Sequence, residues 1–217
     1  MAETLVTGPG QQLTGYGVVN TVNGDPTYGG SNYLYFVLNY TVSSFTPTVV
    51  TFNHGTVNLF LHPFINLLNQ SSSADISLIQ SGTSWATLAG HDFNTPGVQL
   101  AASGALTGAT LSFTGAGLLD VISGAPGVFN FLNTNNIGDN LGGFADIAVT
   151  TSGNNNVLNT HDNTTGCTTG RAVAGQFCFQ GSADLRGSTN IPEPGIISLV
   201  GLGLLGMGAA LRKRKSA

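Results

Sequence analysis

Residues 31–42 read Ser-Asn-Tyr-Leu-Tyr-Phe-Val-Leu-Asn-Tyr-Thr-Val, a run dominated by aromatic and branched apolar side chains. Such side chains favour extended backbone, so the run predicts a β-strand. Successive side chains of a strand point to opposite faces. Tyr33 and Tyr35 should therefore share one face, and Leu34, Phe36 and Leu38 the other. One of these two sets is expected to form part of the core.

Similar short apolar runs, separated by Gly- and Pro-containing turns, follow one another about every ten residues. We predict a hairpin turn at 53–55 and no convincing helix, with 152–170 as the longest loop. This spacing is typical of an all-β chain, either an antiparallel β-sandwich or a jelly-roll-like body. Besides 31–42, the predicted strands are 13–22, 48–52, 56–61, 75–80, 85–88, 98–106, 109–113, 117–122, 128–132, 144–150, 172–180 and 183–185.

The charge of the chain is low and unevenly distributed. Charged residues make up 7% of the 217 residues, against about 25% in average globular domains. Residues 1–191 contain two basic residues, Arg171 and Arg186, against nine acidic ones, a net charge of −7. A body with so few cations cannot neutralise phosphates, so we expect no nucleic-acid partner. The neutral polar surface suits an extracellular or matrix protein.

Candidate catalytic residues are scattered, and we do not expect an enzyme. The neighbouring pairs His91-Asp92 and His161-Asp162 cannot act as dyads on a strand, since adjacent side chains point apart. We interpret them as solvated loop residues. No nucleophile elbow or zinc-protease motif occurs, and no metal or cofactor is expected. Two Asp brought together from distant strands stay open as a carboxylate pair.

The two cysteines, Cys167 and Cys178, are close in sequence. Outside the cytoplasm a disulfide is the default state of such a pair. A reduced, buried pair is the alternative.

Exposed aromatic rings could also serve as platforms for sugars, and Trp85, Tyr33 and Tyr35 are the candidates for such a glycan contact.

The C-terminal end has three parts in a fixed order: Pro192-Glu193-Pro194, an uncharged apolar run at 195–211, and the basic run Arg212-Lys213-Arg214-Lys215. The prolines favour an extended, accessible segment. As a helix the apolar run would measure about 26 Å, near the lower limit for spanning a bilayer. The basic run would hold its end on the cytoplasmic side. A permanent single-span anchor and a buried helix of the body are the alternatives.

This three-part segment resembles the PEP-CTERM sorting signal of bacterial exported proteins. The resemblance implies processing near Pro192-Glu193-Pro194 by an exosortase, a membrane-embedded cysteine transpeptidase. It also implies a transient inner-membrane anchor during biogenesis, followed by release to the cell surface or the extracellular matrix. The domain organisation is then an exported all-β domain at 1–185, a linker at 186–191 and the sorting signal at 192–217, with its transmembrane helix at 195–211.

Residues 133–151 and 181–184 loosely resemble the flocculation-associated members of that family. That resemblance implies a structural or adhesive role in aggregation and biofilm, with exopolysaccharide as a partner. A lectin-like, carbohydrate-binding module is the alternative.

Residues 1–5 lack the basic and apolar regions of a signal peptide, so we expect a leader that precedes Ala2 or Glu3 in the native protein.

Overall fold

The computed structural model describes residues 1–21, 31–156, 162 and 165–187. Within these ranges the chain is built mainly from antiparallel strands with three short helices. The helices are α1 (Ser72–Gln80), α2 (Val128–Leu132) and α3 (Thr165–Thr169). The strands are β1 (Ala2–Thr4), β2 (Gln12–Val19), β3 (Tyr33–Phe45), β4 (Val49–His62), β5 (Thr83–His91), β6 (Leu100–Ala105), β7 (Ser112–Gly124), β8 (Ile137–Gly138), β9 (Phe144–Ala145), β10 (Ile147–Asn154) and β11 (Phe177–Gly187).

Nine of the described strands form one sheet, in the order β10-β11-β1-β2-β3-β4-β5-β7-β6. The sheet closes because β10 pairs with β11 on one edge and with β7 on the other. Strands β5 and β6 occupy a single position between β4 and β7, one above the other. The result is a closed antiparallel sheet with eight strand positions, and β8 and β9 form a separate small hairpin.

The all-β prediction is confirmed, but the two-sheet sandwich or jelly roll is wrong. Closure depends on β10, which pairs with β7 over Ser112–Leu119 and with β11 over Gln180–Gly187. These partners come from distant parts of the chain. Alternation along one strand predicts which side chains point inward, but it does not say whether the inner faces belong to two sheets or to one closed sheet.

The predicted hairpin turn at 53–55 is also wrong, because β4 runs straight through it. Thr41 pairs with Asn53 and Asn39 with Thr56, so Tyr40 alone lies opposite His54 and Gly55. This is a β-bulge, and His54 has the left-handed φ of 48° that such an irregularity permits. A side chain at position 55 would overlap the Tyr40 ring, so Gly55 leaves the space that this ring fills.

Two predicted strands are helices. Residues 75–80 belong to α1 and 128–132 form α2. Burial explains both changes, since tertiary contacts override local propensity. Ile79 of α1 is fully buried against the outer face of the sheet, and Phe129 and Leu132 of α2 pack against the interior core.

Apolar side chains form separate clusters on the two sides of the sheet. The largest cluster fills the interior and includes Leu34, Phe52, Leu88 and Leu119. A second cluster lies on the outer face under α1, and a third surrounds Cys167 and Cys178. Both faces of β3 are therefore buried along part of its length, which is why both alternating sets of the 31–42 run are apolar.

The all-β domain ends two residues later than the predicted boundary at 185. Strand β11 extends to Gly187, where it pairs with Ile147, so the sheet includes two residues assigned to the 186–191 linker. Among the described residues, no helix is long and apolar enough to cross a membrane. The predicted transmembrane helix at 195–211 lies outside the described residues.

Candidate functional site

The predicted disulfide is present between Cys167 of α3 and Cys178 of β11, with Cα atoms 5.3 Å apart. Both cysteines are fully buried with Leu5, Leu111 and Phe179. The bond ties the α3 segment to the strand that closes the sheet. In such an apolar setting the pair serves the fold.

The three aromatic residues predicted to contact glycans do not form one surface. Trp85 lies at a bulge in β5 and packs against the interior core. Tyr35 is on the outer face but is 1% exposed, and its hydroxyl accepts a hydrogen bond from the Ile65 amide at 2.8 Å. Only Tyr33 presents much of its ring to solvent, with 45% exposure.

Tyr33 has an aromatic neighbour that the sequence did not suggest. The ring of Phe64, 68% exposed, packs edge-on to Tyr33 with ring centroids 5.6 Å apart. Together, Tyr33 and Phe64 form an exposed aromatic pair on the outer face. Phe64 lies in the loop that follows β4, two residues after His62, and His62 pairs with Tyr33. The pairing of β3 with β4 therefore brings the two rings together.

His91 joins two carboxylates from distant parts of the chain. Its Nδ1 lies 2.7 Å from Oδ2 of Asp120, and its Nε2 lies 3.1 Å from Oδ2 of Asp139. The expectation that His91 is a solvated loop residue is therefore wrong. Asp92, its sequence neighbour, instead accepts a hydrogen bond from the Gly97 amide at 2.7 Å.

The electrostatics of this cluster favour an imidazolium held between two carboxylates. Burial opposes protonation of His91, but the hydrogen bonds with Asp120 and Asp139 outweigh it and raise its pKa. Hydrogen bonds from the Leu141 amide, from His91 and from the Gly143 amide lower the pKa of Asp139 to about 2. Both ring nitrogens are engaged, so the cluster holds the β8–β9 hairpin against β5 and β7 rather than presenting a free base.

The interior of the closed sheet contains a cavity of about 460 Å³. Its wall is largely apolar and includes Leu34, Leu88, Leu119 and Trp85. α2 contributes Phe131 and Leu132 at one end. A cavity of this size and lining is typical of small-molecule sites.

Two polar groups, Glu3 and Tyr40, face this cavity. They are 5% and 2% exposed, and neither side chain has a hydrogen-bond partner within the described part of the chain. Burial raises the pKa of Glu3 to about 7, an effect that the amino group of Met1 partly offsets. Burial, and to a lesser extent the nearby Glu3 carboxylate, also raises the pKa of Tyr40.

Sequence reasoning missed Glu3, the His91 cluster and the cavity. Glu3 is the only glutamate before residue 193, but nothing local shows that β1 turns it inward. The only usable signal was the alternation of β3, which places Leu34, Phe36, Leu38 and Tyr40 on one face. The predicted signal residues Pro192, Glu193, Pro194 and Arg212–Lys215, together with His161, lie outside the described residues.

Comparison with known proteins identifies the C-terminal segment. Residues 190–215 match the family described as the PEP-CTERM protein-sorting motif. The chain therefore carries a PEP-CTERM sorting motif at its C-terminal end, and the motif supports export and processing by an exosortase. No curated protein and no solved structure matches the chain.

Proposed function

We propose that this protein is delivered by its sorting signal to the cell surface or extracellular matrix, where its all-β domain has a structural or adhesive role in exopolysaccharide-associated aggregation. The match of residues 190–215 to the sorting motif carries the proposal. During export the 195–211 segment anchors the chain in the inner membrane, and cleavage near Pro192-Glu193-Pro194 releases the body.

The properties of the body support an extracellular role. Its core is cross-linked by the buried Cys167–Cys178 disulfide, which suits an oxidising compartment. A surface with few charges hydrates through neutral hydrogen bonds, which salt screens little.

We also propose that the body is not an enzyme. The His91 cluster supports this, because both imidazole nitrogens are engaged with Asp120 and Asp139. Asp120 and Asp139, two carboxylates from distant parts of the chain, are thus bridged by a histidine. A general base needs a free nitrogen or oxygen directed at a substrate. Oδ1 of Asp120 has no hydrogen-bond partner among the described residues, but it is shielded from solvent and so is not directed at a substrate.

The test is the intact mass and the location of the protein recovered from its native host. We expect a C-terminus trimmed near Pro192-Glu193-Pro194 and recovery in the surface or matrix fraction. Replacing these three residues with alanine should keep the full-length chain in the membrane fraction. Alanine at Gly187, Ser188 and Thr189, which precede the matched segment, is the control and should leave processing unchanged.

The adhesive role is tested separately by deleting the gene and measuring aggregation of the cells. Loss of flocs, restored by the unaltered protein but not by a version lacking 192–217, is expected. Normal trimming together with unchanged aggregation would contradict the adhesive role and leave the sorting role intact.

A second candidate is carbohydrate binding, which the exposed aromatic pair Tyr33 and Phe64 favours. Aromatic rings of this kind stack on the apolar faces of sugars. Polysaccharide pull-down should then fail for Tyr33→Ala and Phe64→Ala, while Val173→Ala, at another exposed apolar position, should leave binding unchanged. Equal capture of all three variants would contradict a glycan site at this pair.

A further inference from the structure

The interior cavity opens to solvent through an apolar mouth. Val18 of β2, Phe131 of α2 and Leu185 of β11 all line the cavity, yet they are 36%, 39% and 45% exposed. Large apolar side chains at the rim of an apolar cavity lower the cost of moving an apolar molecule from water into it.

The opening lies between β2 and β11. β1 pairs with β2 only at Gly15 and Tyr16, and with β11 only over 177–180. Met1 extends this contact by two hydrogen bonds with the main chain of Gly181, at 2.9 and 3.1 Å. From Ser182 onward, the edge of β11 that faces β2 has no strand partner among the described residues. Residues 181–185 of β11 all border the cavity. Alternate side chains of a strand point to opposite faces, so one face of β11 could contribute only every second residue. The edge of β11 must therefore face the cavity.

Two polar groups are placed inside this apolar space without protein partners. The carboxyl group of Glu3 and the hydroxyl of Tyr40 both line the cavity, and the structure records no hydrogen bond for either within its described ranges. Their oxygens are not among the side-chain atoms that the protein encloses without a partner, so a group that enters the cavity can reach them. A ligand hydroxyl that bonds to both of them would gain hydrogen bonds that the protein itself does not supply, each worth about 0.5–1.5 kcal/mol.

We propose that the closed sheet binds a small, uncharged, largely apolar molecule whose hydroxyl group hydrogen-bonds Glu3 and Tyr40. The cavity volume of 460 Å³ corresponds to about fifteen water-sized groups at roughly 30 Å³ each. An alcohol with ten or so carbons therefore fits. No Lys or Arg side chain lines the cavity among the described residues. The amino group of Met1 also borders it, but it donates a hydrogen bond to the Gly181 carbonyl at 2.9 Å, and burial lowers its pKa and so disfavours its charge.

The protonation of Glu3 agrees with an uncharged ligand. Burial raises the pKa of its carboxyl to about 7, and the amino group of Met1 partly offsets this effect. In mildly acidic solution the carboxyl is mostly neutral. It can then donate a hydrogen bond to a hydroxyl oxygen and accept one in return.

The single tryptophan provides a reporter inside the site, since Trp85 lines the cavity and no other tryptophan exists in the chain. The probe is 10-bromo-1-decanol, whose bromine quenches indole fluorescence on contact. We expect saturable, one-to-one quenching in the full-length protein in mildly acidic buffer, reversed by 1-decanol. Linear quenching without saturation, or no reversal by 1-decanol, would overturn the proposal.

Substitutions and related ligands test the polar contacts. Tyr40→Phe and Glu3→Met should each weaken 1-decanol binding roughly fivefold, and Tyr33→Phe, the same change on the outer face of β3, should not. Tyr40→Phe retains the buried ring, so its result stands if Glu3→Met fails to fold. Decanoate should bind more weakly than 1-decanol. Tighter binding of decylamine, or equal binding by the Tyr40→Phe and Tyr33→Phe variants, would overturn the proposed recognition.

Discussion

At the scale of single residues, two titratable groups have environments that oppose or favour their charge. Glu3 is buried in an apolar cavity that disfavours its carboxylate form. His91 lies between two carboxylates that favour its imidazolium form. Neither environment is local in sequence, because each depends on strands and loops that meet only in the folded sheet.

Glu3 makes the folded state less stable as the pH rises. Its pKa is raised from 4.5 to about 7, so the folded state holds a proton that the unfolded chain releases between these values. The penalty is absent below pH 4.5 and complete above pH 7, where it reaches about 3 kcal/mol. Glu3→Gln should therefore raise the free energy of unfolding at neutral pH and leave it unchanged in acid.

Urea unfolding of both proteins from acid to neutral pH measures this difference. Comparison of the variant with the parent isolates Glu3, because His91 titrates in both proteins. Parallel pH profiles for the two proteins would show that the carboxyl is solvated in the folded state.

The folded state favours the charged form of His91, whereas it disfavours the charged form of Glu3. Both groups nevertheless make the free energy of unfolding fall as the pH rises, because both folded-state pKa values are raised. The folded pKa of His91 is raised, so its stabilisation is complete below its unfolded pKa of about 6.5 and is lost as pH rises through the folded value. An NMR titration of the imidazole should give a higher pKa in the folded protein than in concentrated urea. Asp120→Asn should bring the folded pKa back down, and an unchanged value in that variant would contradict the pairing.

At the scale of elements, α1 shows why local pattern was insufficient. The alternation of apolar residues at 75–80 suggested a strand. In the structure, α1 directs Ile79 into the outer cluster, and Tyr16 donates a hydrogen bond to the buried Asp75 at 3.0 Å. The outer face of β2 and β3 is apolar and has to be covered, and a helix covers it with one row of side chains.

Neighbouring residues of α1 provide a matched pair of substitutions. Ile79 is fully buried and Leu78 is 42% exposed. Ile79→Ala should lower the free energy of unfolding by about 2–4 kcal/mol because it leaves a cavity under the helix. Leu78→Ala should change it by less than about 0.5 kcal/mol.

Chemical denaturation followed by Trp85 fluorescence checks both values, since Trp85 is on the other side of the sheet and is not altered. Equal losses for the two variants would mean that α1 is not docked as described.

At the scale of the whole molecule, the close contact between β10 and β11 depends on small residues. Gly181 of β11 lies opposite Gly153 of β10, and a methyl group added at 181 would overlap the carbonyl oxygen of Ser152. Gly153 in turn leaves space for the Phe113 ring. These glycines let β10 lie close to both β11 and β7, the two strands between which it closes the sheet.

Gly181→Ala should therefore destabilise the fold by at least about 2 kcal/mol, as overpacked sites do. Gly138→Ala is the control, since nothing lies within 4 Å of an added methyl group there. Where there is space for the methyl group, alanine in place of glycine tends to stabilise a protein, because it lowers the entropy of the unfolded chain. Gly181→Ala should therefore lower the melting temperature, and Gly138→Ala should leave it unchanged or raise it. A stabilised Gly181→Ala protein would contradict this closure.

The sequence by itself determined the features that depend on local composition: the β-strand character of the body, the pairing of Cys167 with Cys178, the scarcity of cations and the C-terminal sorting motif. Tertiary structure alone decided the closure of the sheet, the helices at 72–80 and 128–132, and the burial of Glu3 beside Tyr40. The physical reason is that alternation and spacing act within a few residues. Strand pairing and desolvation depend on which distant segments come into contact, and the sequence of a single strand does not specify the strand with which it pairs.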